Sequence, residues 1–403
     1  MKVRQGNPIS GNAKVVRNIN RAVILNLIRE KQPISRIEIA RLSGLNKSTV
    51  SSIVSGLLGE GIIYEEVETN QNVGRNPINL FLQLGKHFVG AINFDSPLSR
   101  IAIADLDGSL KETATIETAV ENPELFVKHC VTELFKLRDR FKLAHLEGIG
   151  VSVAGIVDPL RARVMFAPRL GWDDFELGKV LQESCPDEGR IIVDNDARAS
   201  ALAELWHGKH DLDLSNFVFL SVGPGIGTGI VVGKNLIHGH SFASGEFGHM
   251  TLFEGGELCA CGNYGCWEAY ASDRATVRRY LARKQQEQPS GRPMLLQEVI
   301  ERAALKQDTI AREVLLQTGH FLGMGIADII KAIDPEAIII GGKITNAWEI
   351  IYPEIMQTLA KRAFFGKNRT IHILPTSLKV RPRLLGAATL VVKELFSDFR
   401  IIR

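Results

Sequence analysis

Three cysteines and a histidine lie within one glycine-rich segment, residues 245–268, and they constrain the fold of this chain more than any other feature. Their spacing is His249-x9-Cys259-x-Cys261-x4-Cys266. One imidazole and three thiolates suit a closed, tetrahedral, structural zinc site. Two alternatives are a reactive or disulfide-bonded loop, and an ordinary core histidine beside a three-cysteine cluster. Because a Cys-x-Cys pair rarely closes on itself, the segment favours bound Zn2+ as a structural cofactor.

Length and composition are typical of a globular protein with two or three domains. The chain has 403 residues, of which 45% are hydrophobic and 23% are charged. No apolar run reaches the roughly 18 residues of a membrane helix, and the N-terminal segment lacks the apolar core of a signal peptide. Five cysteines, three of them clustered, fit a reducing compartment. We therefore expect a cytoplasmic protein with no membrane partner, in which the separate Cys130 and Cys185 are buried and inert.

Charge is divided unevenly along the chain. Residues 1–50 contain ten Lys/Arg and two acidic residues, a net charge of +8. The whole chain has a net charge of +3, which leaves −5 for residues 51–403. A basic head on a mildly acidic body is typical of a nucleic-acid-binding head, although a solvated basic surface without a partner would have the same charge.

The head has the pattern of a helix-turn-helix. A first helix is predicted at residues 13–30, and a capping box of Ser35 and Glu38 begins a second helix. Asn46 then caps a third helix. A longer helix followed by two short helices and a tight turn is the three-helix core of this motif. The apolar residues at helical spacing in the first helix, and hence its expected core face, are Val16, Ile19, Val23 and Leu27.

Two predicted strands, residues 62–67 and 78–84, flank a turn-rich loop and make the pattern a winged helix. The third helix begins with hydroxyls, an amide and a lysine, which suit base edges and phosphates in a major groove. Arginines of the second helix and of the wing loop would reach phosphates or the minor groove. The expected DNA-binding residues are Arg36, Arg41, Asn46, Lys47, Ser48, Thr49, Ser52 and Arg75. A three-helix protein-interaction module is the alternative.

From about residue 86 the chain alternates apolar strands and helices. Three consecutive strands followed by strand–helix alternation occur twice, which predicts a duplicated α/β body with a cleft between its halves. The expected domains are a winged helix-turn-helix at residues 1–85, a first lobe at 86–200, and a second lobe at 201–384 with the zinc loop. A C-terminal helix, about residues 385–403, should pack back on the first lobe.

Acidic side chains mark a candidate ligand site in this body. Asp194-Asn195-Asp196 follows a predicted strand, where α/β clefts bind ligands, and an aspartate there could be a general base for a sugar hydroxyl. The alternative is that this motif caps the next helix, which would explain one of the three residues. Glu246 and Glu268 flank the metal ligands. Zinc would then position both carboxylates to accept hydrogen bonds from hydroxyl groups.

Motifs across almost the whole chain share the spacing of a known family. In the body they are Asn195-Asp196, Gly225-Ile226-Gly227-Thr228-Gly229, Gly245-Glu246-x-Gly248-His249 and Cys259-x-Cys261-Gly262-x-x-Gly265-Cys266-x-Glu268. They resemble the ROK family of repressors, open reading frames and sugar kinases. The head, with residues 44–52 and Gly74-Arg75-x-Pro77, resembles the winged helix of the family's transcriptional repressor branch, nearest the xylose-repressor type.

The resemblance implies an actin-like ATPase (ribonuclease H-like) body, a homodimer or homotetramer, and a sugar site. The sugar-binding residues it implies are Asn195, Asp196, Glu246, His249 and Glu268. Asp196 would stand at the catalytic base position of the kinases. His249 would bind zinc through one ring nitrogen and the sugar through the other.

The chain departs from the kinases at the first phosphate loop. Kinases of the family carry Asp-x-Gly-Gly-Thr there, and the equivalent here reads Asn93-Phe94-Asp95-Ser96-Pro97. Without the glycines the backbone cannot approach a triphosphate closely, and Asp95 would repel it, so most phosphoryl transfer should be lost. Arg169 stands where the kinases often have asparagine and could select an acidic or phosphorylated sugar. The glycine-rich residues 223–229 could cradle phosphates or form a tight hairpin.

The sequence therefore predicts a sugar-responsive transcriptional repressor that senses its ligand and does not phosphorylate it. It would bind operator DNA as a dimer or a dimer of dimers and respond to a sugar or sugar phosphate. The alternative is an ATP-dependent sugar kinase with a regulatory DNA-binding head, since Asp196 and the second glycine-rich segment are present. A third possibility is control by a protein partner that sequesters the repressor.

Overall fold

The computed structural model of the protein describes residues 13–67, 78–143, 145–186, 188–285, 293–305, 308–362, 371–379 and 381–397. Three helices and a three-stranded sheet form the head. They are α1 (Ala13–Lys31), β1 (Ile34–Ser35), α2 (Arg36–Ser43), α3 (Lys47–Gly59), β2 (Ile63–Val67) and β3 (Ile78–Leu82). Strand β3 lies between β1 and β2 and is antiparallel to both. The predicted winged helix-turn-helix is confirmed, while the loop at 68–77, with Arg75, lies outside the described residues.

Local capping interactions set the helix boundaries of the head. Ser35 and Glu38 form the capping box at the start of α2. Gly44, with a φ of 71°, ends α2 in the left-handed region that glycine adopts without steric cost. The side chain of Asn46 accepts a hydrogen bond from the N–H of Thr49 and so caps α3. Each of these signals lies within four residues of the boundary it determines, and each was readable from the sequence.

The predicted core face of α1 was wrong. Val16 and Val23 are 46% and 39% exposed, whereas Ile24, Leu25 and Ile28 are buried. The helix has apolar residues at helical spacing on two neighbouring faces, so its periodicity does not decide which face is inside. Burial is decided instead by the partners of α1, among them the other head helices, β3 and the last helix of the chain.

The first lobe of the body is built on a five-stranded sheet in the order β6-β5-β4-β7-β11. Its elements are β4 (Phe88–Phe94), β5 (Leu98–Asp105), β6 (Leu110–Glu117), α4 (Pro123–Arg140), β7 (Gly148–Val153), β8 (Ile156–Asp158), β9 (Arg163–Ala167), β10 (Trp172–Phe175), α5 (Leu177–Ser184) and β11 (Arg190–Asn195). Strands β8, β9 and β10 form a small separate sheet. Helix α6 (Asp196–His207) then leads into the second lobe and crosses the expected boundary at residue 200.

The second lobe repeats this arrangement with the order β14-β13-β12-β15-β16. Its elements are β12 (Phe217–Val222), β13 (Ile226–Val232), β14 (Asn235–Leu236), a 3-10 turn (Phe247–His249), α7 (Glu268–Ala271), α8 (Asp273–Lys284), α9 (Leu296–Ala304), α10 (Thr309–Ile333), β15 (Ala337–Gly341), a 3-10 turn (Lys343–Ala347), α11 (Trp348–Arg362) and β16 (His372–Pro375). In both sheets the first three strands are an antiparallel meander and two later strands add in parallel. The predicted duplicated α/β body is therefore confirmed.

The chain returns to the first lobe through its last helix, α12 (Pro382–Ser397). A Cβ added at Gly150 on β7 would lie 1.8 Å from the carbonyl oxygen of Ala387, so glycine is needed for α12 to approach this sheet closely. Helix α12 begins at Pro382, three residues before the expected start, and residues 398–403 lie outside the described part of the chain. Among the described residues, no helix has the length and apolarity required to cross a lipid bilayer.

Candidate functional site

The four predicted metal ligands lie together. The ligand atoms of His249, Cys259, Cys261 and Cys266 all lie within 4.8 Å of one another. Sγ of Cys259 is 3.7 Å from Nδ1 of His249, and Sγ of Cys261 is 3.7 Å from Sγ of Cys266. Two sulfur ligands of a tetrahedral site with metal–sulfur bonds of about 2.3 Å stand about 3.8 Å apart. The cluster therefore fits a tetrahedral metal ion, and none of these cysteines forms a disulfide.

Tight turns bring the cysteines together. The N–H of Cys259 donates to the carbonyl of Asn263 at 2.8 Å, and the N–H of Gly262 donates to the carbonyl of Cys259 at 3.0 Å. Gly262 and Gly265 have φ values of 91° and 78°, which favour glycine. A Cβ at Gly265 would also lie 1.7 Å from the carbonyl oxygen of Phe253. Both the conformation and the space at this turn therefore require glycine.

The two flanking glutamates approach residues of the metal cluster. Oε2 of Glu246 is 3.9 Å from Nε2 of His249, and Oε1 of Glu268 is 3.8 Å from Sγ of Cys259. The other oxygen of Glu268 accepts a hydrogen bond from the N–H of Ile226 at 2.8 Å. The two ring nitrogens of His249 therefore have different neighbours: Nδ1 lies in the metal cluster and Nε2 lies next to a carboxylate.

Three carboxyl groups share one polar environment beside the cluster. Desolvation by the surrounding protein raises the pKa of Glu246, and His249 opposes this rise. The nearby carboxylates of Asp196 and Glu268 raise the same pKa further. Because carboxylates accept hydrogen bonds from hydroxyl groups, this arrangement can bind a polyhydroxylated ligand.

Asn195 and Asp196 lie where β11 ends and α6 begins. Oδ1 of Asn195 accepts hydrogen bonds from two backbone N–H groups at the start of α6, at 2.9 and 3.0 Å, and its Nδ2 donates to the carbonyl of Gly155 at 2.9 Å. The side chain of Asn195 thus caps the N-terminus of α6. Asp196 is buried, and its Oδ2 is 3.2 Å from Nε of Arg383. Burial raises the pKa of Asp196, and Arg383 opposes that rise.

Two ion pairs hold Asp95, which we expect to stand where the kinases of the family carry their first phosphate loop. Oδ1 of Asp95 is 2.9 Å from Nη2 of Arg169, and its Oδ2 is 2.7 Å from Nη1 of Arg383. Arg383 therefore joins Asp95 to Asp196. The sequence analysis missed Arg383, which is 288 residues from Asp95 in the chain. The one signal available was a basic residue directly before a largely apolar run, residues 384–392.

The glycine-rich segment 223–229 forms a hairpin. The N–H of Gly223 donates to the carbonyl of Gly225 at 2.9 Å, and the later glycines belong to β13, which pairs antiparallel with β12. A Cβ at Gly229 would lie 2.5 Å from Cβ of Ala201. Of the two predicted roles for this segment, the structure shows the tight hairpin. The glycines in β13 also allow α6 to pack closely on the sheet.

The predicted DNA-binding side chains that the structure describes lie on α2 and α3. Arg41, Asn46, Lys47, Ser48 and Ser52 are exposed, whereas Arg36 and Thr49 are half-buried. Oδ1 of Asn46 accepts hydrogen bonds from the N–H of Thr49 and the hydroxyl of Ser48, both at 2.8 Å. Nη2 of Arg36 lies 2.7 Å from the carboxylate of Glu65 on β2. Lys47 and Arg41 are therefore the exposed cations of this surface.

The fold and site define a winged helix-turn-helix on a two-lobed, actin-like α/β body, with a polar site beside a cluster of one histidine and three cysteines that could hold a metal. A model of the ROK family matches residues 91–394, more than half of the chain, and a model of the MarR family matches residues 18–70. The chain therefore belongs to the ROK family, as its motifs indicated.

Similar proteins match almost the whole length of the chain. The putative xylose repressor of Caldicellulosiruptor sp. (strain Rt8B.4) is 29% identical over 96% of this chain and 100% of its own. The DNA-binding transcriptional dual regulator NagC of Escherichia coli (strain K12) is 29% identical over 96% of this chain and 95% of its own. A crystal structure of a ROK family transcriptional regulator, a homolog of the E. coli MLC protein, has a TM-score of 0.81 at 26% identity and covers 95% of this chain and 97% of that one.

Proposed function

We propose that this protein is a sugar-responsive, DNA-binding transcriptional repressor of carbohydrate metabolism genes. The observation that carries the proposal is the combination, in one chain, of a winged helix with a ROK body in which two arginines pair with Asp95. By our alignment, Asp95 replaces part of the first phosphate loop of the kinases. The names of the relatives, a putative xylose repressor and a DNA-binding transcriptional regulator, support it.

The sugar site would lie beside the metal cluster. The residues we assign to it are Asn195, Asp196, Glu246, His249 and Glu268. The metal would be Zn2+, held by one imidazole and three thiolates and without an open coordination position, so it would stiffen the loop. In this arrangement Glu246 and Glu268 accept hydrogen bonds from hydroxyl groups, and His249 faces the sugar through Nε2.

The DNA-binding unit would be a homodimer or homotetramer. Two heads on one face would contact half-sites about 34–36 Å apart, or a multiple of that spacing, along the operator. Lys47, Ser48, Thr49 and Ser52 would approach base edges, and Arg36, Arg41 and Arg75 would approach phosphates or the minor groove. A repressor works where its operator lies, so we place this one in the cytoplasm.

Helices α6 and α12 would carry the signal from the sugar site to the head. Both begin at the site, where Asp196 pairs with Arg383. Both end at α1: the guanidinium of Arg29 lies 4.1 Å from the ring centroid of Trp206, and the Trp206 ring packs edge-on against Phe396 at 5.7 Å. Because a helix moves as a rigid element, a shift of α6 at its first residue would displace the support of the head.

The kinase alternative needs space for a triphosphate. Asp95 stands where glycines would let the backbone approach phosphates, and Arg383 fills the gap between Asp95 and the hairpin turn at Gly223. We therefore expect no ATP turnover above background with a panel of hexoses and pentoses. Robust, sugar-dependent turnover by the purified protein would favour the kinase.

A thermal-shift screen of sugars and sugar phosphates tests the sensing function itself. A ligand that binds the folded protein raises its melting temperature, so at least one sugar or sugar phosphate should do so. The same compound should then change the affinity of the protein for operator DNA. A protein that binds none of these ligands is not a sugar-responsive repressor.

A further inference from the structure

Two arginines hold one carboxylate in the cleft between the lobes. Arg169 pairs with Oδ1 of Asp95 at 2.9 Å and Arg383 pairs with Oδ2 at 2.7 Å. The three side chains come from distant parts of the chain: the end of β4, the turn between β9 and β10, and the first turn of α12. Asp95 is 7% exposed. One oxyanion between two guanidiniums is the geometry with which proteins bind phosphoryl and carboxylate groups.

The arginine pair adjoins the predicted sugar site. Nε of Arg383 is 3.2 Å from Oδ2 of Asp196, the residue that the family resemblance would place at the catalytic base position of the kinases. Nη2 of Arg383 also donates to the hydroxyl of Ser221 at 3.1 Å, and a Cβ at Gly223 would lie 3.0 Å from this nitrogen. A ligand hydroxyl at Asp196 would therefore carry its substituent directly toward Arg383.

Side chains around the arginine pair have hydrogen-bonding capacity that the described residues leave unused. Nε of Arg169 is buried and has no acceptor among them, and Oδ1 of Asp273 is buried without a partner among them. Arg383, Lys343 and Arg169 all lie close enough to Asp273 to lower its pKa, but burial outweighs them and raises it to about 7. Near neutral pH, Asp273 is therefore protonated in a large fraction of molecules, and a protonated carboxyl can donate to an anionic oxygen.

We propose that Arg169 and Arg383 form an anion subsite for the effector, and that Asp95 occupies this subsite while the effector is absent. This inference rests on the proposed sugar-sensing function and narrows the ligand to an anionic sugar. The anion would be a phosphoryl or carboxylate group on the sugar carbon whose hydroxyl would otherwise face Asp196. A neutral hydroxyl forms no ion pair with the two guanidiniums and can accept hydrogen bonds from only a few of their N–H groups.

A phosphate ester can displace Asp95 because its charge near pH 7 is about −1.5 to −2, compared with −1 for a carboxylate. Its three terminal oxygens can also accept hydrogen bonds from both arginines at once, including the free Nε of Arg169. Displacement would break the link between Asp95 and Arg383 at the start of α12. The subsite would thus connect ligand charge to the helix that supports the head.

Calorimetric titration of the full-length protein with matched sugars tests this subsite. Each neutral aldose is compared with its phosphate ester and its uronate, at low and high salt, with inorganic phosphate as a competitor. We expect one anionic form to bind at least tenfold more tightly than its neutral parent, and high salt to reduce this ratio. The tighter form identifies the anion as phosphoryl or carboxylate. Equal binding of neutral and anionic forms would overturn the subsite and leave sugar sensing intact, whereas no binding of any sugar would overturn both.

Substitutions separate a ligand subsite from a merely structural ion pair. Arg169→Gln should lower the anionic-to-neutral affinity ratio at least tenfold. The matched control is Arg163→Gln on β9, which also removes a half-buried arginine from an ion pair, here with Asp174. Asp95→Asn removes the internal competitor and should tighten binding of the anionic sugar at least threefold. If Arg169→Gln unfolds, Arg383→Lys replaces it in this test. Lysine keeps the positive charge but lacks the planar guanidinium, so this variant should also lower the anionic-to-neutral affinity ratio. An Asp95→Asn protein that is folded by thermal unfolding, and binds the anionic sugar no better than wild type, would contradict the proposal.

Discussion

Asp273 shows how strongly one residue of the cleft departs from its behaviour in water. It begins α8, and burial raises the pKa of its carboxyl from 3.8 to about 7 against the opposing effect of three cations. A raised carboxyl pKa means that the folded protein favours the neutral form. Protonation of Asp273 therefore adds to the free energy of unfolding. This contribution is complete below the pKa of the carboxyl in the unfolded chain, about 4, and it is lost as the pH rises through the folded-state pKa of about 7.

Asp273→Asn should therefore change how stability depends on pH. Asparagine keeps the shape and cannot ionise, so the variant should gain stability relative to wild type between pH 5 and pH 8, by up to about 2 kcal/mol. Urea unfolding at both pH values measures this difference, with the exposed Asp139→Asn as control. Parallel pH profiles for wild type and Asp273→Asn would show that this carboxyl titrates normally.

The metal ligands give a second test at the residue scale. Cys266→Ser should abolish stoichiometric zinc binding, lower the melting temperature, and weaken sugar binding at least tenfold, because the loop would no longer hold Glu246 and Glu268. Zinc content by mass spectrometry, thermal unfolding and calorimetry measure the three effects. Cys185→Ser, which changes a buried cysteine outside the cluster, is the control and should retain zinc. Unchanged sugar binding in verified metal-free protein would refute the structural role of zinc.

At the scale of elements, α3 should determine operator affinity. Lys47 is exposed in its first turn. Lys47→Ala should weaken operator binding about tenfold and reduce the salt dependence by about one phosphate contact. Fluorescence anisotropy over a series of salt concentrations measures both, and Lys128→Ala on the exposed side of α4 is the control. If neither affinity nor salt dependence changes, α3 is not the recognition helix.

Helix α6 should determine the coupling between sugar and operator. Trp206→Leu removes the ring over which the guanidinium of Arg29 lies, while the site at the other end of α6 stays intact. We expect sugar affinity to change less than threefold, whereas the effect of sugar on operator affinity should fall at least fivefold. Trp348→Leu on α11 is the control. A variant with full coupling would show that α6 does not transmit the signal through this contact.

Elements set by local signals were readable from the sequence, and contacts between distant segments were not. The caps at Ser35 and Asn46 place the head helices correctly because each acts within one helical turn. The proximity of His249 and the three cysteines was readable because these four residues lie within 18 consecutive positions. The buried face of α1 and the pairing of Arg383 with Asp95 depend on tertiary packing, which no local pattern reports.

At the scale of the whole molecule, the head, the two lobes and the last helix form one connected path. The head rests on α6 and α12, and both helices begin at the cleft between the lobes. A ligand that binds one arrangement of the lobes more tightly than another will shift the population of head positions by that difference in affinity. This is the physical basis on which a sugar could control DNA binding without any chemical reaction.

If a sugar controls operator binding by this chain, the operator affinity must change when the sugar binds, and a single titration measures that change. Operator fragments selected from a random DNA pool are titrated with full-length protein, with and without the sugar or sugar phosphate that raises the melting temperature most. We predict that the ligand changes the operator dissociation constant at least tenfold in wild type and less than threefold in Glu268→Gln. An operator affinity that is identical with and without a ligand already shown to bind would contradict the account.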